Sequence, residues 1–247
     1  MDNLYNLKGK TAWITGGKRI GQKVAEVLAQ HGANLILSYM KSKKEAEEII
    51  KKIKEFGIKT LPIRADVSSQ KSVINTVEEI KKQFKKIDIL VLMASVFEPI
   101  KLMSIKEEDF KKNFDAHVLG TFWPIQACLH LMPVGSHIIT ISDRTAISKP
   151  YAGYLPYVVT KGAVAHLTRA LAVELAPKGI FINSIAPGAI LKPDSMSDAE
   201  WLNVRRNSIV NYPLKDEDAV EEFAKLILYL STVRSSGSIY PLDLGNL

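Results

Sequence analysis

Apolar positions along the chain switch between a period of two and a period near 3.6, and the switches mark out alternating strands and helices. Residues 10–15 read as a short buried strand. From Ile20 the period becomes helical, with Ile20, Val24, Val27 and Leu28 on one side. Residues 34–39 are short and apolar again. Residues 42–56 then place Ala46, Ile49, Ile50, Ile53 and Phe56 on one helical stripe. A strand over 59–64 is followed by a helix over 69–84 with Val73, Val77, Ile80 and Phe84 in phase. Residues 88–94 are almost continuously apolar, as expected of a central parallel strand covered on both faces. Residues 105–132 read as one long helical region that Pro124 should kink. Next come a strand (137–142), a helix (156–176) with Pro156 in its first turn, and a strand (180–186). A helix (216–231) and a last strand (238–242) close the pattern.

This alternation predicts an α/β fold: one Rossmann-type, doubly wound, seven-stranded parallel sheet with helices on both faces, forming a single domain over residues 1–247. Residues 189–213 are less regular, carry Pro193, Ser195, Ser197 and Pro213, and should hold one or two short helices. A long excursion after a strand's carboxyl end is where a substrate lid sits in such a fold. The helix over 156–176 is apolar nearly all round, through Val158, Val159, Ala163, Val164, Leu167, Leu171, Val173 and Leu175. Such a helix is buried on more than one side. The sheet covers one side, and a subunit interface is expected on the other, in a homotetramer or at least a dimer.

Composition narrows the class. Hydrophobic residues make up 47% and charged residues 24%, ordinary for a globular domain. Cys128 is the only cysteine, which excludes an internal disulfide or a cysteine-rich metal site, and no metal is expected. No signal-like segment opens the chain, and no apolar stretch approaches the roughly 18 residues of a membrane span. A soluble cytoplasmic protein without a membrane partner is expected. The net charge of +7 invites a nucleic-acid reading, but the lysines of 41–59 and 81–86 alternate with glutamates, the pattern of a solvated helix face. No nucleic-acid partner is expected. A positive field also attracts a polyanionic cofactor.

Candidate chemistry lies in two places. Tyr157 and Lys161 stand four apart and so share a helix face. A phenol beside an ammonium is a proton-donating pair, the ammonium lowering the phenol's pKa. Tyr-x-x-x-Lys also occurs on ordinary surface helices, so the spacing alone decides little. At the N-terminus the first strand runs into Gly16-Gly17-Lys18-Arg19-Ile20-Gly21 and then a helix. That layout presents backbone N–H groups and a helix N-terminus to a phosphate. The end of the second strand reads Tyr39-Met40-Lys41-Ser42, with no acidic residue to engage a ribose 2′-hydroxyl. Lys41 and Ser42 suit a 2′-phosphate by charge and hydrogen bond, which points to NADPH rather than NADH.

Taken together, these residues resemble the short-chain dehydrogenase/reductase family over nearly the whole chain. The likeness rests on the glycine turn, Asp66-Val67 after the third strand, Tyr157 and Lys161, Pro187-Gly188 after the sixth strand, and the tail from Tyr240 to Gly245. Within the family the pattern looks closest to the pteridine reductase branch. Arg19 stands where most members have a second glycine, Asp143 where most have the catalytic serine, and Phe97 where that branch stacks its pterin ring. The resemblance implies a cofactor site built from Gly16, Lys18, Arg19, Ile20, Tyr39, Lys41, Ser42, Asp66, Val67, Ala94, Lys161, Pro187 and Gly188. It implies substrate contacts from Phe97, Asp143 and Tyr157. The catalytic set would be Tyr157 as proton donor, Lys161 tuning it and holding the nicotinamide ribose, Asp143 orienting substrate or sharing proton transfer, and His117 in the place of the family's helix asparagine.

The chain also departs from the family. Its glycine loop is one residue shorter, the asparagine pair after the fourth strand is Leu92-Met93, and the interval from Asp143 to Tyr157 is about one residue longer. His117 suits either a proton relay or a hydrogen-bonded structural role. The expected function is NADPH-dependent hydride transfer to a C=O or C=N carbon of a small molecule, a pteridine-type substrate being the leading case. A generic ketone or 3-oxoacyl reductase is the first alternative. A nucleotide-binding protein with little turnover is the second.

Overall fold

The computed structural model describes residues 5–16, 18–193, 196–206 and 215–243. Gly17, Ser195, Pro213 and the end of the tail, Leu244 and Gly245, lie outside them, as does most of the later half of the expected lid. Seven strands form one sheet: β1 (Thr11–Thr15), β2 (Asn34–Tyr39), β3 (Thr60–Arg64), β4 (Ile89–Leu92), β5 (His137–Ile141), β6 (Phe181–Pro187) and β7 (Ile239–Leu242). Their order is β3-β2-β1-β4-β5-β6-β7 and every pairing is parallel. The doubly wound prediction is therefore met. The chain reverses direction across the sheet between β1 and β4, and the crevice at their carboxyl ends is where ligands bind in such sheets.

The two central strands are buried along their length, and alternate side chains feed two cores. Ala12 and Ile14 of β1 join Val24, Leu28, Ile50, Phe223 and Ile227 on one face. Trp13 joins Val77, Ile80, Ile125 and Leu171 on the other. The Trp13 indole also donates to the Ser38 hydroxyl at 3.1 Å, so its polar edge is satisfied inside the sheet. The first face carries α1 (Ile20–Gln30), α2 (Lys43–Ile53) and α8 (Asp216–Leu230). The second carries α3 (Gln70–Lys81), α5 (Gly120–Cys128) and α6 (Leu155–Leu175).

Two helix predictions need correction. Phe56 is not in the buried stripe. α2 ends at Ile53, a 3-10 turn follows, and Phe56 is 44% exposed. The region 105–132 is not one helix kinked at Pro124. It is α4 (Glu107–Phe114), a π-helical turn over Asp115–Leu119, and α5. Pro124 lies inside α5, while the break comes at Gly120, whose N–H bonds the Asp115 carbonyl. Gly120 packs against Val67, where a Cβ would meet the valine methyl at 3.0 Å. The π turn gives His117 its inward orientation, a common use of such turns at functional sites.

α6 is apolar on its outer side, but its inner side is not uniformly apolar as the pattern suggested. Its inward face carries Tyr157, Thr160, Lys161 and Thr168, all buried, while Leu155, Val159 and Val173 point outward at 42%, 50% and 74% exposure. Among the described residues of 189–213 one further helix, α7 (Asp198–Arg206), is present. Asp216 at the start of α8 anchors it, accepting from the Trp201 indole at 3.1 Å and the Arg205 guanidinium at 2.9 Å.

Candidate active site

β5 and α6 meet at a buried polar cluster. After β5 the chain stays extended through Asp143, which caps a short 3-10 turn. Its Oδ1 accepts the Thr145 N–H at 2.9 Å. That contact fixes the carboxylate and leaves Oδ2 facing α6. The Tyr157 hydroxyl donates to Oδ2 at 2.9 Å, and the Tyr151 hydroxyl stands 3.5 Å from the same oxygen. Asp143 and Tyr157 are 7% and 8% exposed. The Thr145 hydroxyl is also buried, and has no hydrogen-bond partner in the structure.

The helical spacing places Lys161 near Tyr157, but not as expected. The ammonium lies 5.7 Å from the centroid of the tyrosine ring and donates to the Ile141 carbonyl at 2.8 Å. Any pull it exerts on the phenol is outweighed by the phenol's other surroundings. Burial, and then the Asp143 carboxylate, push the Tyr157 pKa well above its ordinary value. The lysine itself is pushed down to about 8, chiefly by burial. In this arrangement the phenol holds its proton firmly and the carboxylate is its partner.

His117 is 1% exposed and hydrogen-bonded at both ring nitrogens. Nδ1 lies 2.8 Å from the Thr160 hydroxyl on α6. Nε2 accepts the Val96 N–H at 3.1 Å and lies 2.9 Å from the Ser95 hydroxyl. Burial, and then the charge of Lys161, lower its pKa to about 3, so it is neutral near physiological pH. The histidine ties α6 to the loop after β4. Of the two roles left open by the sequence, the geometry favours this structural tie.

That loop also carries Phe97. Its ring stacks on Tyr154 at 4.4 Å between centroids and 14° between planes, and meets Tyr157 edge-on at 4.8 Å. The expected aromatic platform is present, but one face is already covered by Tyr154.

The second group lies across the switch point. Gly16 has φ +76°, and a Cβ there would meet the Ala94 backbone nitrogen at 2.8 Å. Only glycine lets the turn approach the end of β4 so closely. The sequence reading missed Thr15, whose hydroxyl accepts the Met93 N–H at 3.2 Å and faces the Ala94 N–H at 3.4 Å. Arg19 takes φ 62° with ψ −111°, a positive-φ conformation that favours glycine. Its guanidinium donates to the Lys192 carbonyl, joining the glycine turn to the segment after β6. Lys18 pairs with Glu45 at 3.6 Å. Ile20 begins α1 and packs on the first core, as does Tyr39 at the end of β2. α1 has no acidic residue in its first turn and no side-chain cap. Its amide ends and the flanking cations suit an anionic phosphate, so these residues fit a dinucleotide.

The remaining predicted cofactor residues line the same edge. Lys41 is exposed, and Ser42 precedes α2 without capping it. Asp66 accepts the Ser68 hydroxyl at 2.6 Å and the Ser68 N–H at 3.1 Å. Val67 packs against Gly120. Pro187 ends β6, and Gly188 donates to the Leu242 carbonyl at 3.0 Å, with Asp243 packed where its Cβ would be. Lys161, named for both sets, sits with the catalytic group.

Comparison with known proteins agrees with this architecture. A family model described as enoyl-(acyl carrier protein) reductase matches residues 16–243. The 3-oxoacyl-[acyl-carrier-protein] reductase FabG of Staphylococcus aureus is 32% identical over 227 residues, covering 90% of this chain and 91% of that protein. A short-chain dehydrogenase/reductase from Serratia marcescens superposes with a TM-score of 0.89 at 28% identity, covering 97% of this chain and 98% of its own. A short-chain dehydrogenase from Burkholderia cenocepacia, solved in complex with NADP, does so with a TM-score of 0.88 at 28% identity, covering 98% and 99%. The matched span takes in the glycine turn, strands β2 to β7 and the helix of Tyr157 and Lys161. The chain is an oxidoreductase that belongs to the short-chain dehydrogenase/reductase family.

Proposed function

We propose that the protein is an NADPH-dependent carbonyl reductase acting on a small ketone or 3-oxoacyl substrate. The observation that carries this reading is the Tyr157 hydroxyl held at 2.9 Å on Asp143, at the carboxyl-end edge of β5. Bound NADPH supplies the hydride. Tyr157 gives its proton to the oxygen that gains charge, and its raised pKa keeps that proton in place until the substrate needs it. Asp143 orients the phenol through Oδ2 while its Oδ1 is fixed by Thr145. Lys161, which donates to the Ile141 carbonyl, would offer a cation to the cofactor's ribose. His117 keeps α6 and the loop after β4 in register.

The phosphate-bearing cofactor is supported by the absence of an acidic residue at the end of β2 and by Lys41 beside it. The NADP complex of the Burkholderia relative agrees. The 3-oxoacyl class is supported by the Staphylococcus relative. The pteridine-type reading rests on Arg19, Asp143 and Phe97 alone, and the Tyr154 ring against Phe97 weakens it. The outward apolar residues of α6, with Phe110 and Phe114 exposed on α4, support a homotetramer in which these helices are covered. The segment around α7 serves as the substrate lid.

One screen tests the reading: NADPH oxidation followed with an acetoacetyl thioester, a simple ketone and a dihydropterin. Turnover greatest with the acetoacetyl thioester is expected. Turnover greatest with the dihydropterin restores the pteridine reading. Failure to bind NADPH or NADH in a titration leaves a nucleotide-independent fold.

A further inference from the structure

A proton given by Tyr157 must be replaced before the next turnover, and the structure offers a path on the Asp143 side of the phenol. Lys161, on the other side, is 4% exposed and donates to the Ile141 carbonyl. His117 is sealed between Thr160, Ser95 and Val96 and stays neutral. Tyr151 differs. It is the half-buried member of the cluster, and its hydroxyl reaches the carboxylate oxygen that Tyr157 uses.

We propose that Tyr151 is a proton-relay residue, and that Tyr151, Asp143 Oδ2 and Tyr157 form one relay that brings a proton from solvent to the substrate oxygen. The proposal rests on the reading of Tyr157 as proton donor. Three tyrosines, Tyr151, Tyr154 and Tyr157, fall within seven residues ahead of Lys161, and the turn into α6 brings the first and last of them onto Asp143. Tyr154 meets Tyr151 edge-on at 5.5 Å, and the Arg144 guanidinium lies 5.5 Å from the Tyr151 ring. These contacts hold the ring while leaving its hydroxyl on Asp143.

The proton balance is simple. When the substrate oxygen takes the Tyr157 proton, the phenol O–H breaks and a substrate O–H forms. The Tyr157 oxygen is then an anion next to the Asp143 carboxylate, an arrangement that disfavours leaving both ionised. The Tyr151 proton crosses to Oδ2 and on to the Tyr157 oxygen. Water at the half-buried edge reprotonates Tyr151, and the hydroxide left behind is neutralised by the buffer. No electrons move in the relay, and its net result is one proton passed inward.

The groups facing Tyr151 set its charge state. Burial, and then the Asp143 carboxylate, raise its pKa, while Arg144 opposes them. Tyr154 also raises it, and the charge of Glu200 on α7 bears on Tyr154. On the far side of Tyr157 lie Lys161 and the neutral His117. Tyr151 therefore stays protonated at working pH, as a relay donor must.

The test is rapid-mixing kinetics of Tyr151→Phe with NADPH and an acetoacetyl thioester, followed through the first and later turnovers. The change keeps the ring contacts and removes the hydroxyl. The first turnover draws on a Tyr157 already loaded, and later ones need the relay. The steady-state rate should fall at least about tenfold relative to the first turnover, the lower scale of proton-transfer catalysis. Imidazole added as a small proton donor should restore the steady state in Tyr151→Phe and leave wild type unchanged. A variant in which both phases slow together, and imidazole restores neither, shows a packing role and overturns the relay, as does a variant that matches wild type. Tyr157→Phe is the control. It should lose the first turnover itself, and if it does not, the reading of Tyr157 has failed rather than the relay alone.

Discussion

The two halves of the site are built by different means. On the cofactor side, the turn at Gly16, Lys18 and Arg19 offers backbone amides and exposed cations, and Lys18 already shares its charge with Glu45. On the β5–α6 side, Tyr157, Asp143, Lys161 and His117 are all below 9% exposed, each with a defined hydrogen-bond partner. Exposed charges are screened and replaceable, whereas a buried polar group that loses its partner costs about 1–3 kcal/mol and more if charged. The comparison teaches that single substitutions should cut deeply in the second half and shallowly in the first.

The largest effect should come from Tyr157→Phe. It removes the proton at the centre of the buried half and leaves the ring against Phe97 and His117. Turnover with NADPH should drop by about 10² or more, with cofactor affinity retained. A loss of only a few-fold, measured beside a retained dissociation constant, would break the contrast between the halves at its strongest point.

Next is His117, which tests the contrast through stability. Its folded pKa of about 3 lies below its ordinary 6.5. Between those values the unfolded chain binds a proton that the folded chain refuses, so stability falls as pH drops through this window and is regained as pH rises. The effect amounts to at most a few kcal/mol. His117→Asn removes the titrating ring. Its unfolding midpoint in urea should vary less with pH between 6.5 and 4 than that of wild type. An identical slope in both proteins would place the acid sensitivity elsewhere.

How much was legible in the sequence divides along the same line. The sheet was legible because strands such as β4 carry continuous apolar runs and the helices keep their phase. The glycine turn was legible because only a residue without Cβ fits against Ala94. The pairing inside the buried half was not. Four-residue spacing put Lys161 near the Tyr157 ring, but it does not say that the ammonium turns to Ile141 or that Asp143 takes the phenol. Those choices depend on the conformation of residues 144–154, a turn with no periodicity. The Tyr151, Tyr154, Tyr157 series was the visible signal of that turn. The π turn at 115–119 was hidden for a related reason: its residues keep a helical pattern, and Pro124 drew attention away from Gly120.

The smallest expected effect concerns Lys41, on the exposed side. The end of β2 carries no acid, so on the proposed reading cofactor preference would rest on a side chain that solvent also surrounds. A charge-assisted contact to a 2′-phosphate is worth roughly 1.5–3 kcal/mol where it is shielded. Exposure moves the expectation to the low end of that range, about tenfold in affinity. Arg64, at the end of the neighbouring β3, reaches the Met40 carbonyl at 3.4 Å and adds positive charge beside the same turn. Lys41→Asp replaces an attraction by a repulsion and also supplies an acceptor for the 2′-hydroxyl of NADH. NADPH should bind about tenfold more weakly and NADH somewhat more tightly, with turnover on saturating NADPH little changed. Titration of both cofactors against wild type and Lys41→Asp reads this directly, and raising the salt concentration should narrow the difference. If wild type binds the two cofactors equally, Lys41 does not set the choice. If the substitution instead abolishes turnover, the cofactor half is as finely built as the catalytic half, and the contrast between them fails.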